Sequence, residues 1–208
     1  MKRTFIAMFA AGLLLCAAPA RADISLSIRP VSAAPGATGT FDVLLANTGV
    51  SSVNIAGFSF ELSTTNTDIT FGDVTTSTVT APYIFTNSDY GPNIWVTTGA
   101  QIVTASDLDG TPGGDNFAPG IYGLGLVSFT VSPGAVGGET ATVNFDAYPA
   151  TSFADGSINA NNIPFSSTPG TITVTSTPEP GFAWPAGAVG VALVAGAALR
   201  RKRAAARA

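Results

Sequence analysis

The 208-residue sequence contains no histidine and a single cysteine, Cys16. Between Asp23 and Thr177 it also lacks lysine, and Arg29 is the one base there. A Ser-His-Asp triad, a Cys-His dyad, a histidine zinc site and a lysine Schiff base are therefore excluded from that stretch. So are disulfides and thiolate metal sites. The scarcity of base also decides a partner class. Twelve of the thirteen acids fall between Asp23 and Thr177, so twelve negative charges less one positive leave a net −11, hidden behind the whole-chain value of −4. Such a surface repels phosphate backbones, and nucleic-acid binding is excluded. Carboxylate chemistry and cation binding remain open.

The other eight bases sit at the two ends, and each end reads as an address. Met1-Lys2-Arg3 opens with positive charge, Phe5 to Ala18 is apolar, and Ala20-Arg21-Ala22 supplies small residues at the cleavage positions. That combination predicts a secretory signal peptide over 1–22, cut after Ala22. Cys16 leaves with it, because Leu13-Leu14-Leu15-Cys16 carries a bulky Leu where lipoprotein processing needs a small residue.

At the other end, 176–208 reads Ser-Thr-Pro-Glu-Pro, then an uncharged run from Gly181 to Leu199, then Arg200-Arg201-Lys202-Arg203. As a helix, these 19 uncharged residues reach about 28 Å, close to the roughly 30 Å hydrocarbon thickness of a bilayer. Seven Ala and four Gly make the run only weakly apolar, but the four bases behind it form a cytoplasmic stop, and Trp184 fits an interfacial anchor. A transmembrane helix over about 181–199 is expected, with its C-terminus cytoplasmic. Pro178-Glu179-Pro180 outside the run, with the basic cluster inside, resembles the PEP-CTERM sorting tail of Gram-negative bacteria. That resemblance implies export through the inner membrane, handling by an exosortase-type enzyme, and delivery of the remainder to the cell surface or the extracellular matrix.

The stretch between the two addresses, 23–175, is long enough for one domain with its own core. Its pattern is all-β. Ile24, Leu26 and Ile28 alternate with Ser25, Ser27 and Arg29, and Ala56, Phe58, Phe60 and Leu62 alternate with Gly57, Ser59, Glu61 and Ser63. Further β-rich runs lie at 41–46, 69–74, 83–85, 94–98, 101–105, 121–131, 140–145 and 171–175, separated by Gly, Pro, Asn and Asp clusters. About nine short strands with turns between them predict a β-sandwich.

The order of several of these runs resembles a cohesin domain. Pro35-Gly36 stands before a strand, Gly57-Phe58-Ser59-Phe60-Glu61-Leu62 follows, then Ile69-Thr70-Phe71-Gly72-Asp73-Val74 and Leu126-Val127-Ser128-Phe129-Thr130-Val131. Ser152-Phe153-Ala154-Asp155-Gly156 and Gly170-Thr171-Ile172-Thr173-Val174 close the order. The resemblance implies a jelly-roll-like sandwich of about nine strands, related to carbohydrate-binding modules.

Two candidate sites stand out within the domain. Asp107, Asp109 and Asp115 punctuate a Gly-rich loop, and alternate carboxylates with loop carbonyls suit calcium. An EF-hand is excluded, since Pro112 stands where its glycine belongs and Ala118 where its bidentate glutamate belongs. The commoner use of such a loop is a solvated turn. Tyr83, Tyr90 and Trp95, with Phe85, form an aromatic group that would stack on sugar rings if aligned on one exposed face, or pack as core if not. No cofactor other than calcium is expected. The resulting expectation is a non-enzymatic structural or interaction module of a surface or matrix, binding exopolysaccharide or a surface protein. A carbohydrate-binding module is the alternative, and a hydrolase using two converging carboxylates is the third reading.

Overall fold

A computed structural model describes residues 23–87 and 93–176. The expected signal peptide, the sorting tail with Pro178 to Pro180 and Arg200 to Arg203, and Tyr90 all lie outside the described residues. No helix among the described residues is long and apolar enough to cross a membrane; the span expected at 181–199 is not among them.

The domain is an all-β sandwich. Its strands are β1 (Ile24–Ile28), β2 (Val31–Ala33), β3 (Thr38–Asn47), β4 (Val53–Ile55), β5 (Gly57–Ser63), β6 (Ile69–Thr75) and β7 (Trp95–Thr98). They continue with β8 (Ile102–Leu108), β9 (Asp115–Phe117), β10 (Gly120–Val131), β11 (Thr140–Phe145), β12 (Ser152–Ala154), β13 (Phe165–Thr168) and β14 (Gly170–Val174). One sheet runs β13-β1-β3-β10-β6; the facing sheet runs β2-β14-β11-β5-β8-β7, with β12 also paired to β5. A small β4-β9 ladder caps one end.

Alternation builds the core. In β5, Phe58, Phe60 and Leu62 are buried while Ser59, Glu61 and Ser63 are not, and β1 buries Ile24, Leu26 and Ile28. Phe129 and Val127 of β10 meet Phe41 and Val43 of β3 on the inner face, and the Phe41 and Phe129 rings lie 5.9 Å apart. This is the two-layer burial that period-two sequences require.

The first and last strands change sheets together. β1 joins the first sheet and β2 the second; β13 pairs parallel with β1 and β14 parallel with β2. Pro30 lies at the first crossing and Pro169 at the second, where a residue without an N–H ends a ladder at no cost. Gly170 follows at the point of closest approach: a Cβ there would sit 2.5 Å from Ile28 Cβ.

The residues expected as a strand at 83–85 are instead a turn, touching β10 through one bridge between Tyr83 and Gly123. All three side chains are buried. The turn packs Tyr83, Ile84 and Phe85 together into the core.

Candidate functional site

The acidic loop and the aromatic group meet at one end of the sandwich, but not in the arrangements their residue types suggested. Asp107 is the last inward-facing residue of β8, opposite Phe58, and only 1% exposed. Its Oδ2 accepts the Tyr83 hydroxyl at 2.5 Å and the Asn93 amide at 3.2 Å, while Oδ1 accepts the Leu108 amide at 2.7 Å. Three donors already occupy this carboxylate, so it serves as a structural acceptor rather than a calcium ligand. Burial, then the hydrogen bond to Asp107 and its charge, push the Tyr83 phenol far above its ordinary value, so it stays protonated.

Asp109 and Asp115 are placed differently. Asp109 is buried, with Oδ1 accepting the Thr111 amide at 3.1 Å. Asp115 is half-buried on β9 and lines an open groove of about 470 Å³, beside Tyr122, Phe117 and Asn87. Among the described residues no three Asp, Glu, His or Cys side chains gather closely enough to hold a metal ion. The three-aspartate site expected from sequence is thus not formed, because Asp107 turns to Tyr83.

Of the expected aromatic platform, Tyr83 turns into the core, and Tyr90 lies outside the described residues. Tyr83 is 6% exposed and edge-on to Phe58, at 6.5 Å between ring centroids; Phe85 stacks on the same Phe58 at 5.7 Å. Both are core, and a buried ring offers no face to a sugar. Trp95 is different: it lies on β7 opposite Ser106, 52% exposed on the outer face.

That outer face is the feature the sequence reading missed. Pairing places Trp95 and Thr97 of β7, Thr104 and Ser106 of β8, and Ser59 and Glu61 of β5 on the solvent side of one surface. Exposed Ile102 and Leu108 mark the two ends of β8. Glu61 is the one acid that these three strands turn outward; its carboxylate accepts the Thr104 hydroxyl at 2.9 Å. A second acid borders the face, since Asp146 accepts the Ser63 hydroxyl at 2.8 Å. The signal was present as Ser and Thr at alternate positions of β5 and β8, but it becomes a surface only once the strand order is known.

Among the described residues, neither of two surface grooves brings two carboxylates together. The groove beside Asp115 is lined by that one acid among the described residues, and a second groove of about 280 Å³ by Asp42, whose oxygens accept the Val79 and Thr80 amides at 2.6–3.2 Å.

Solved structures share this architecture. The sixth cohesin of scaffoldin B from Acetivibrio cellulolyticus, determined in complex with a mutant Cel5 dockerin, matches with a TM-score of 0.57 and 19% identity, over 73% of this chain and 98% of its own. The seventh ScaB type I cohesin from Pseudobacteroides cellulosolvens matches with a TM-score of 0.57 and 16% identity, over 76% of this chain and 96% of its own. The fold is cohesin-like. A non-cellulosomal cohesin from the archaeon Archaeoglobus fulgidus aligns as well, with a TM-score of 0.53 and 14% identity, over 74% of this chain and 93% of its own. No protein-family model and no curated protein matches the sequence. The cohesin-like sandwich therefore rests on shape and on the run order, with identities that speak to fold alone.

Proposed function

We propose that this chain is an exported, non-enzymatic interaction module, sorted through its PEP-CTERM-like tail by an exosortase-type enzyme to the cell surface or extracellular matrix. The observation that carries the binding part is the outer face of β5, β8 and β7. It is rich in hydroxyls and carries two acids, Glu61 on the face and Asp146 at its border, in a domain of net −11, with a half-exposed Trp95 at its edge. Depletion of charge and an exposed tryptophan are the compositional marks of a protein-binding surface. A protein module is the partner class favoured, in line with the dockerin in the Acetivibrio complex.

The sorting part rests on residues at the two ends: Ala20 and Ala22 before the mature start, Pro178-Glu179-Pro180, and the stop at Arg200 to Arg203. A second reading has one observation in its favour. The hydroxyl-rich face around Trp95 also suits exopolysaccharide, which stacks on exposed indole rings.

Site-specific photocrosslinking separates these readings. A photoreactive residue at Thr104, on the outer face, is expected to capture one discrete protein in the producing cells. The same residue at Thr40, exposed on the other sheet, is expected to capture none. Equal capture at both positions, or none at Thr104, contradicts the protein-partner reading. Retention of the protein on exopolysaccharide that is lost in Trp95→Ala then supports the second.

A further inference from the structure

The β5–β8 ladder and the β4–β9 ladder are two halves of one pairing, interrupted at a single place. Gly57 pairs with Leu108, the Asp109 amide donates to the Ala56 carbonyl at 2.8 Å, and the next rung is Ile55 with Asp115. Residues 110–114 are thereby extruded between adjacent rungs. Asp109 and Asp115 stand at the neck of that loop.

The loop is held in place by the chain around it. Gly113 and Gly114 adopt φ of +89° and +72°, a left-handed backbone that glycine tolerates. The Asn54 side chain donates to the Gly113 carbonyl at 3.0 Å and accepts the Gly156 amide at 2.6 Å. Gly156 packs so tightly on Gly113 that a Cβ would overlap the Gly113 carbonyl. These contacts fix the neck of the loop.

One group in it is unsatisfied. Asp109 is 8% exposed, and its Oδ2 is buried with no hydrogen-bond partner among the described residues. A buried carboxylate oxygen left unpaired is costly, and the group takes up a counter-charge or a proton instead. The domain has no lysine, and its one base, Arg29, lines the groove beside Asp42 rather than this loop. The counter-charge must come from solution.

We propose that the neck of the 109–115 loop binds a divalent cation of the calcium class. Asp109 Oδ2 is the anchoring ligand and Asp115 the second carboxylate, with loop carbonyls and water completing the shell. Calcium suits this place better than magnesium, because it accepts irregular coordination by mixed oxygen ligands whereas magnesium demands a near-ideal octahedron. Two carboxylates rather than three or four set the affinity at the weak end, with dissociation constants on the order of 0.1–1 mM, as in extracellular modules. Asp107 takes no part, its oxygens being occupied by Tyr83, Asn93 and Leu108.

The test is thermal unfolding of the whole purified protein in calcium chloride, with magnesium chloride at matched ionic strength as the control, at pH 7. The expected result is a melting temperature that rises with calcium, half-saturating between about 0.1 and 1 mM, with a smaller rise in magnesium. Asp109→Asn is expected to remove the calcium-specific rise. Should that variant fail to fold, Asp115→Asn serves in its place and is expected to weaken the response at least tenfold. Equal responses to the two ions, or a calcium response that survives in both variants, overturn the proposal. So does a melting temperature that does not respond to calcium.

Discussion

Tyr83 donates its phenolic proton to Asp107 Oδ2 at 2.5 Å, and this bond joins the turn after β6 to the inner face of β8. Because both side chains are buried, neither finds a replacement partner in water if the other is removed. Tyr83→Phe is expected to destabilise the protein by about 1–3 kcal/mol, the usual cost of stripping a partner from a buried polar group. Chemical denaturation at pH 7 checks this, and a loss below about 0.5 kcal/mol would mean that Asp107 is satisfied without the phenol.

The same pair sets an alkaline limit. Burial and the neighbouring carboxylate raise the folded-state pKa of Tyr83 above its ordinary value of 10.0. The unfolded chain then releases a proton that the folded chain keeps, so the contribution is fully present below pH 10 and is lost as pH rises beyond it. Denaturation midpoints at pH 8, 10 and 11 are expected to fall over the last interval in the wild type, and to fall less in Tyr83→Phe.

Asp155 predicts the opposite sign at the acid end. Its Oδ1 accepts the Ser157 hydroxyl at 2.6 Å and the Asn161 amide at 2.9 Å, and these bonds, that to Ser157 foremost, lower its pKa from the ordinary 3.8. Its stabilising effect is present above that value and lost as pH falls below it. Amide exchange at Ser157 and Asn161 is expected to accelerate on acidification before exchange in the core strands does.

At the crossing of the terminal strands, Gly170→Ala places a methyl against Ile28, 2.5 Å from its Cβ. Overpacking at a rigid site costs roughly 1–3 kcal/mol. The urea midpoint is expected to drop accordingly, while Trp95→Ala, on the solvent face, is expected to shift stability by less than about 0.5 kcal/mol.

The long alternating runs were legible in the sequence. Gly57 to Ser63 and Ile121 to Val131 read as strands because half of each faces a core, and period two records that directly. The short strands were not. Val53–Ile55, Asp115–Phe117 and Ser152–Ala154 are three residues each, too few to show a period, and are specified by their partners rather than by themselves. Tyr83 to Phe85 misled for a related reason: aromatic and β-branched residues favour strands, but here the chain meets β10 through a single bridge at Tyr83 and turns at once.

The candidate site divides in the same way. Spacing marked Asp107, Asp109 and Asp115 as one cluster, whereas backbone pairing assigns Asp107 to Tyr83 and leaves Asp109 and Asp115 at a loop neck. Alternation within β5 and β8 held the outer face, yet only the order of strands shows that its hydroxyl-rich surface is continuous up to Trp95.

The central claim, an exported module sorted by its tail, is tested most directly by the intact mass of the protein recovered separately from the medium and the membranes of the cells that make it. The account predicts a species that begins at Asp23 and ends between Thr177 and Pro180, outside the membrane fraction. A species that retains Arg200 to Arg203 and occurs only in membranes would contradict it.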